Sequence, residues 1–285
     1  APIQGHRSPT LPSANKWPWA EAFLHYPPDL SLGPLLESYD RSWLALSNHL
    51  TLRTLLIIKL EDPLKPGVWT QYFRSASPEQ MVELFASRQW FHLELSSEHG
   101  EELLGRGKPE KTGHAFAHYA QERGVHFPQG HLWLTVDICA ENQAEVIGDL
   151  KRWLDLFVAT GVTAGVLHPG GNQMRRQQQS PAAVLDSQTK ALGELCTHLQ
   201  GTDFTLCLEN VPGTPDIEQL LAIIKAVDSE RLGICLDTGH LNMAGGDQGH
   251  FLRHAGDRLK AMHLADNEGK TDQHMMPYGR GNVDW

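Results

Sequence analysis

Four polar clusters follow short apolar runs in the second half of the chain. They are Leu167-His168-Pro169-Gly170, Leu208-Glu209-Asn210, Leu236-Asp237-Thr238-Gly239-His240 and His263-Leu264-Ala265-Asp266-Asn267, the last followed closely by Asp272-Gln273-His274. Histidine, aspartate and glutamate are the ligand set for Zn²⁺ and Mn²⁺, and mixed carboxylate–imidazole sites suit hard-to-borderline divalent ions. Each residue alone also fits a bland role. Asp237 can cap a helix with His240 as a neutral surface imidazole, and His263 can be a core imidazole bonded to backbone. Glu209 is harder to dismiss, because it ends the apolar run Phe204-Thr205-Leu206-Cys207-Leu208, and a carboxylate buried there is costly without a partner. Four consecutive units each placing a ligand-type residue at the same end argues for a shared site.

The elements that must position these groups repeat with a clear rhythm from residue 68. Apolar runs at Val68–Phe73, Phe91–Leu95, His131–Val136, Val162–His168, Phe204–Glu209, Leu232–Asp237 and Leu259–Leu264 read as strands. Between them, amphipathic patterns predict helices near His114–Arg123, Gln143–Thr160, Pro181–Gln200, Ile217–Val227 and Gln248–Ala255. Ser77, Pro78 and Gln80 supply an N-cap, a proline at the first helical position and a capping-box partner. Gly124, Gly161 and Gly201 supply stops. Ile217, Leu220, Leu221 and Ile224 form a stripe that packs an outer helix on a sheet.

Alternating strands and helices imply parallel strands joined by crossovers. Seven units in residues 68–285 predict an α/β fold of the (β/α)₈-barrel type lacking its last βα unit, whose strand ends converge on one mouth. A doubly wound open sheet is the competing architecture, but Arg74-Ser75-Ala76-Ser77 is not the glycine-rich loop expected after its first strand. Residues 1–67, rich in Pro, Ser and Leu, read as an N-terminal extension of unknown structure. Thr54–Leu60 in it could be a strand, antiparallel to the next because only a short linker separates them.

Composition narrows the partners. A formal net charge of −10 argues against a phosphate backbone as partner. No apolar run near the N-terminus can span a bilayer and no charged-then-apolar leader opens the chain. Cys139, Cys196, Cys207 and Cys235 form no C-x-x-C pair, as expected of reduced core thiols in a cytoplasmic protein.

Taken with Gly279-Arg280-Gly281-Asn282-Val283-Asp284-Trp285, the four clusters resemble the xylose-isomerase-like barrel superfamily. That grouping holds sugar and sugar-phosphate isomerases and epimerases together with endonuclease IV-type AP endonucleases. The resemblance covers roughly residues 68–285. It implies one divalent ion (Mn²⁺, Zn²⁺, Co²⁺ or Mg²⁺) on Glu209, Asp237 and His263, with a fourth ligand on an eighth strand that has no counterpart here. In the endonuclease branch His131 and His168 would help hold a second ion, and His240, Asp272 and His274 a third; in the epimerase branch His240 would touch substrate.

The function expected is a metal-dependent isomerase or epimerase of a small sugar or sugar phosphate. Proton transfer would pass through an enediolate, with Glu209 as one acid/base group. The alternatives are phosphodiester hydrolysis at abasic DNA, a dehydratase, and a non-catalytic sugar-binding barrel. Neither nucleic acid nor membrane is the expected partner, and a homo-oligomer is left open. Glu94, which ends strand two, either bonds substrate or serves the barrel layers. His99 and Trp133 are candidates to line the pocket, Trp133 rather as core. Arg175 and Arg176 are the close basic pair near the mouth, and a solvated loop charge is the simpler reading of them.

Overall fold

The computed structural model describes residues 66–212 and 217–285. The candidate strand Thr54–Leu60 lies outside them. Seven parallel strands pair in sequence order: β1 Val68–Trp69, β2 His92–Leu95, β3 His126–His131, β4 Ala164–Leu167, β5 Thr205–Glu209, β6 Leu232–Asp237 and β7 Leu259–His263. The helices are α1 Pro78–Ala86, α2 Ser97–Leu104, α3 Pro109–Gln121, α4 Gln143–Thr160, α5 Asn172–Arg176, α6 Pro181–His198, α7 Ile217–Val227, α8 Thr238–Met243 and α9 Gln248–Ala255. This is the strand–helix succession of a (β/α) barrel, with no eighth strand among the described residues. The sheet curls far enough for Gln129 Nε2 on β3 to donate to the Met262 carbonyl on β7, at 3.4 Å.

Local chemistry sets most boundaries. Ser77 and Gln80 form the reciprocal capping box ahead of Pro78. Ser180 caps α6 through Ala183 N. Gly161 ends α4 at φ 90°, a backbone state that glycine enters without the Cβ penalty other residues meet. The α7 stripe packs inward as expected, with Ile217, Leu220 and Ile224 buried and Leu221 half-buried.

Two expectations need correction. The run Val68–Phe73 is a strand for two residues only, and Thr70–Phe73 turns as a 3-10 helix. Strand three ends at His131 instead of beginning there. The apolar stretch Leu132-Trp133-Leu134 is loop, while the less apolar His126-Phe127-Pro128-Gln129 carries the pairing with β2 and β4. The sheet decides the matter, because His131 is in register with Val166 of β4.

Period-two alternation divides the sheet into two apolar layers. Leu206, Leu208, Ile234 and Leu236 face outward into the large core under the helices. Val166, Cys207, Cys235 and Ala261 form a separate small cluster inside the barrel. The next inward positions, two residues on, are His168, Glu209, Asp237 and His263. A floor of small apolar side chains therefore lies directly beneath the polar groups at the strand ends. All four cysteines are buried and free. Among the described residues no helix is long and apolar enough to cross a membrane.

Candidate metal centre

Glu209 sits at the middle of the strand-end cluster, buried at 1% exposure. Its two carboxylate oxygens serve different sides. Oε2 lies 3.3 Å from His131 Nε2 and 3.2 Å from His168 Nε2. Oε1 lies 2.9 Å from His263 Nδ1 and 3.2 Å from His240 Nδ1. Asp237 is in register with His263 on the neighbouring strand. Its Oδ2 lies 3.6 Å from His263 Nδ1, and its Oδ1 caps α8 by accepting from His240 N at 2.7 Å. Asp237 thus fills both roles considered for it, capping carboxylate and member of the cluster.

Three sets of three groups converge closely enough to hold an ion: His131, His168 and Glu209; Glu209, Asp237 and His263; and His240, Asp272 and His274. In the third set Asp272 bridges His240 Nε2 at 3.4 Å and His274 Nε2 at 3.2 Å. The eight residues proposed as ligands from sequence are therefore all brought to one mouth in these three sets.

The imidazoles carry a further signal. His131 Nδ1 lies 2.8 Å from the Leu132 carbonyl, His240 Nδ1 lies 3.0 Å from the Asn210 carbonyl, and His263 Nε2 lies 2.9 Å from Glu94 Oε1. Each of these acceptors needs an N–H, so in the neutral ring the opposite nitrogen is a lone pair. Those opposite nitrogens face carboxylate oxygens. Lone pair against anion is unfavourable unless a cation or a proton stands between them. Such ligand imidazoles, anchored through the far nitrogen, are the usual surroundings of a protein-bound metal. The donor set fits a divalent ion.

Protons meet the same requirement in the ion-free chain. Burial works to neutralise His240, but Asp272, Glu209 and Asp237 outweigh it and push it up to about 10. Burial opposes charge on His263 too, and the surrounding carboxylates Glu94, Glu209 and Asp237 hold it well above its ordinary value. For Glu209 burial favours the acid, yet the imidazoles of His263, His131, His168 and His240 keep it well below the usual carboxylate range.

Several supporting groups, some of them within the polar clusters quoted above, had no bonding role assigned from sequence. Asn210 exchanges two hydrogen bonds with the Asp237 backbone, at 2.9 and 2.8 Å, and so locks β5 to β6 at the ligands. Asp137 accepts from Gly171 N at 2.7 Å, and Gln188 donates to the Pro169 carbonyl at 2.9 Å, together fixing the loop after His168. Asp266 and Asn267 bind the segment that carries Asp272 and His274. Asp266 accepts from Gly281 N and Val283 N, and the Asn267 carbonyl accepts from Asn282 N. A Cβ on Gly281 would overlap Asp266 Oδ1 and come within 2.5 Å of the Asn267 carbonyl. Gly281→Ala is thus expected to destabilise the fold by about 1–3 kcal/mol and to weaken ion binding at the third set. Thermal denaturation with ion titration checks this; an unchanged midpoint would contradict it.

Glu94 meets His263 across 169 positions of sequence. Glu94→Gln keeps an acceptor but removes the charge that orients the imidazole. Ion affinity should fall about ten- to a hundred-fold, read by calorimetry. His99 is instead a buried residue of α2, with Nδ1 against the Ser96 and Thr70 hydroxyls. Trp133 is half-buried against the main core. Arg175 and Arg176 sit on the short helix α5, not on an open loop.

The profile of the family described as "Xylose isomerase-like TIM barrel" matches residues 82–285. An uncharacterized protein of Methanocaldococcus jannaschii is 32% identical over 109 residues, 36% of this chain and 37% of that one. A probable endonuclease 4 of Halorhodospira halophila is 28% identical over 203 residues, 62% of this chain and 67% of that one. The chain thus spans little more than a third of the length of the first of these relatives. A solved structure of a D-tagatose 3-epimerase-like protein aligns with TM-score 0.64 at 21% identity, over 78% of this chain and 83% of that one, which shows the fold alone.

Proposed function

Because the chain belongs to the xylose isomerase-like TIM barrel family, we propose that it is a divalent-metal-dependent isomerase or epimerase of a small sugar or sugar phosphate. The observation that carries this reading is the convergence of Glu209, Asp237 and His263, with Glu94 on the far nitrogen of the imidazole. An ion held there would supply Lewis-acid polarisation of a carbonyl oxygen. Glu209, kept ionised by its imidazoles, is the base that takes a proton from the carbon beside that carbonyl. His240 and His168, at the same mouth, would hold neighbouring hydroxyls. The small apolar floor of Val166, Cys207, Cys235 and Ala261 closes the side of the site beneath Glu209. A second acid/base carboxylate, which the family resemblance assigns to an eighth strand, has no counterpart among the described residues.

The cavity beside the ligands, about 430 Å³, suits a small molecule. The formal charge of −10 opposes a nucleic-acid backbone. The test is exchange of a ketose C–H for solvent deuterium, followed by proton NMR with Mn²⁺- or Co²⁺-loaded protein that is stripped of ion before the spectrum. A panel of pentoses, hexoses and their phosphates that shows no exchange would overturn the reading.

One observation favours a second reading. The sets His131/His168/Glu209 and His240/Asp272/His274 exceed what a single-ion isomerase needs, and one relative is named a probable endonuclease 4. Phosphodiester hydrolysis at an abasic site would use all three sets. Efficient nicking of an abasic duplex, with three ions per chain, would establish it over the isomerase.

A further inference from the structure

We propose that Arg176 forms an anion subsite beside the ligand cluster and selects substrates that carry a phosphate or carboxylate group. The inference rests on the small-molecule reading above and names the substrate's charge.

The cavity is lined by Thr135, Asp137, His168, Gln173 and Arg176 among others. It therefore runs from a ligand imidazole outward to a guanidinium. The two adjacent arginines have different roles. Arg175 turns back, with Nη1 donating to the Gly170 carbonyl at 2.9 Å and to Asn172 Oδ1 at 3.2 Å. The Arg176 side chain, exposed to solvent, has no hydrogen bond or ion pair to the other described residues, and it lines the cavity. Among the described residues, Asp137 is the one carboxylate that lines this cavity. Its oxygens are already engaged by three backbone N–H groups: Cys139 and Gly171 on Oδ1, and Gln173 on Oδ2. The side chains of Thr135 and Gln173 likewise have no partner among the described residues, which leaves a hydroxyl and an amide available beside the guanidinium. An unpaired arginine with five N–H donors matches the oxygens of a phosphate ester or carboxylate better than it matches a neutral hydroxyl. A substrate with its reacting carbon at Glu209 and its anionic end at Arg176 would span the cavity.

The test uses the full chain, ion-loaded, with D-ribulose 5-phosphate, D-ribonate and D-ribulose as probes in calorimetric titrations. Wild type should bind the phosphate or the acid at least about ten-fold tighter than the neutral sugar, as expected for charge-assisted hydrogen bonds. Whichever anion shows the preference identifies the group. Arg176→Gln should erase that preference, Arg176→Lys should keep part of it, and Arg175→Gln should leave it in place. Equal binding of all three probes by wild type, no measurable binding of either anion, or a preference that survives Arg176→Gln would each overturn the proposal. Deuterium exchange is read separately. Anion binding through Arg176 with no exchange on any sugar sinks the isomerase reading and leaves the subsite standing. Exchange that is indifferent to the substrate's charge sinks the subsite alone.

Discussion

Glu209→Gln should abolish ion binding at two of the three ligand sets at once. One carboxylate belongs to both, to the first with His131 and His168 through Oε2 and to the second with Asp237 and His263 through Oε1. Loss of an outer-shell partner costs about ten- to a hundred-fold in metal affinity, and loss of an anionic ligand common to two sets should exceed that. The variant also lacks the proposed base, which contributes about 10²- to 10⁴-fold. Deuterium exchange should therefore fall at least about a thousand-fold. The set of His240, Asp272 and His274 does not include Glu209 and should retain one ion. Metal analysis after gel filtration reads the outcome directly. A variant that kept the wild-type ion count would show that Glu209 is a structural hydrogen-bond acceptor.

Raising the pH from about 6 to 8 should tighten ion binding steeply while it loosens the ion-free fold. His240, pushed up to about 10, and His263, held well above its ordinary value, must each give up a proton before a nitrogen can ligate. Each proton released contributes up to about ten-fold in apparent affinity per pH unit. If both are released, the gain approaches about a hundred-fold per unit. The sign reverses for ion-free stability. A group whose folded pKa is raised stabilises fully below its unfolded value, about 6.5 for histidine, and that stabilisation fades as pH climbs towards the folded value. Glu209 behaves oppositely. Its depressed pKa gives stability above the ordinary carboxylate range that is lost as pH falls through the folded value. The melting midpoint of chelator-treated protein should accordingly fall between pH 6.5 and 10 and also in acid. Titrations in two buffers of different ionisation enthalpy count the protons released. A flat affinity profile, or an ion-free midpoint that rises through the alkaline range, would show that the imidazoles are neutral before the ion binds.

Some parts of this architecture were legible in sequence because their causes are local. The bounds of α4 and α7 and of β6 follow from a glycine stop and apolar period, and they fall where the pattern placed them. Strand three was misplaced because its residues are less apolar than the loop that follows. Only pairing with Leu95 and Val166 reveals it. Helix α2, Ser-Glu-His-Gly-Glu-Glu-Leu-Leu, lacks an apolar stripe and went unseen, though Ser96 caps it. The ligand-type residues stood out by chemistry and position. What the sequence could not disclose is which imidazole meets which carboxylate oxygen. Those meetings join β2 through β7, and depend on how far the sheet curls. Glu94 shows the limit, since a glutamate in Leu93-Glu94-Leu95 reveals inward direction but not that His263 waits there. Asn210 and Asp266 read as further polar residues at strand ends, and only their bonds to backbone separate ties from ligands.

A single carboxylate that belongs to two ligand sets also fixes how they can fill. Whatever factor occupancy of the His131–His168 side imposes on affinity at the Asp237–His263 side must be returned in equal measure. Titration of the whole chain should then depart from independent binding, and the departure should vanish when His131 and His168 are removed together. Metal supply would accordingly set more than the loaded fraction of the protein: it would decide which partly filled forms coexist.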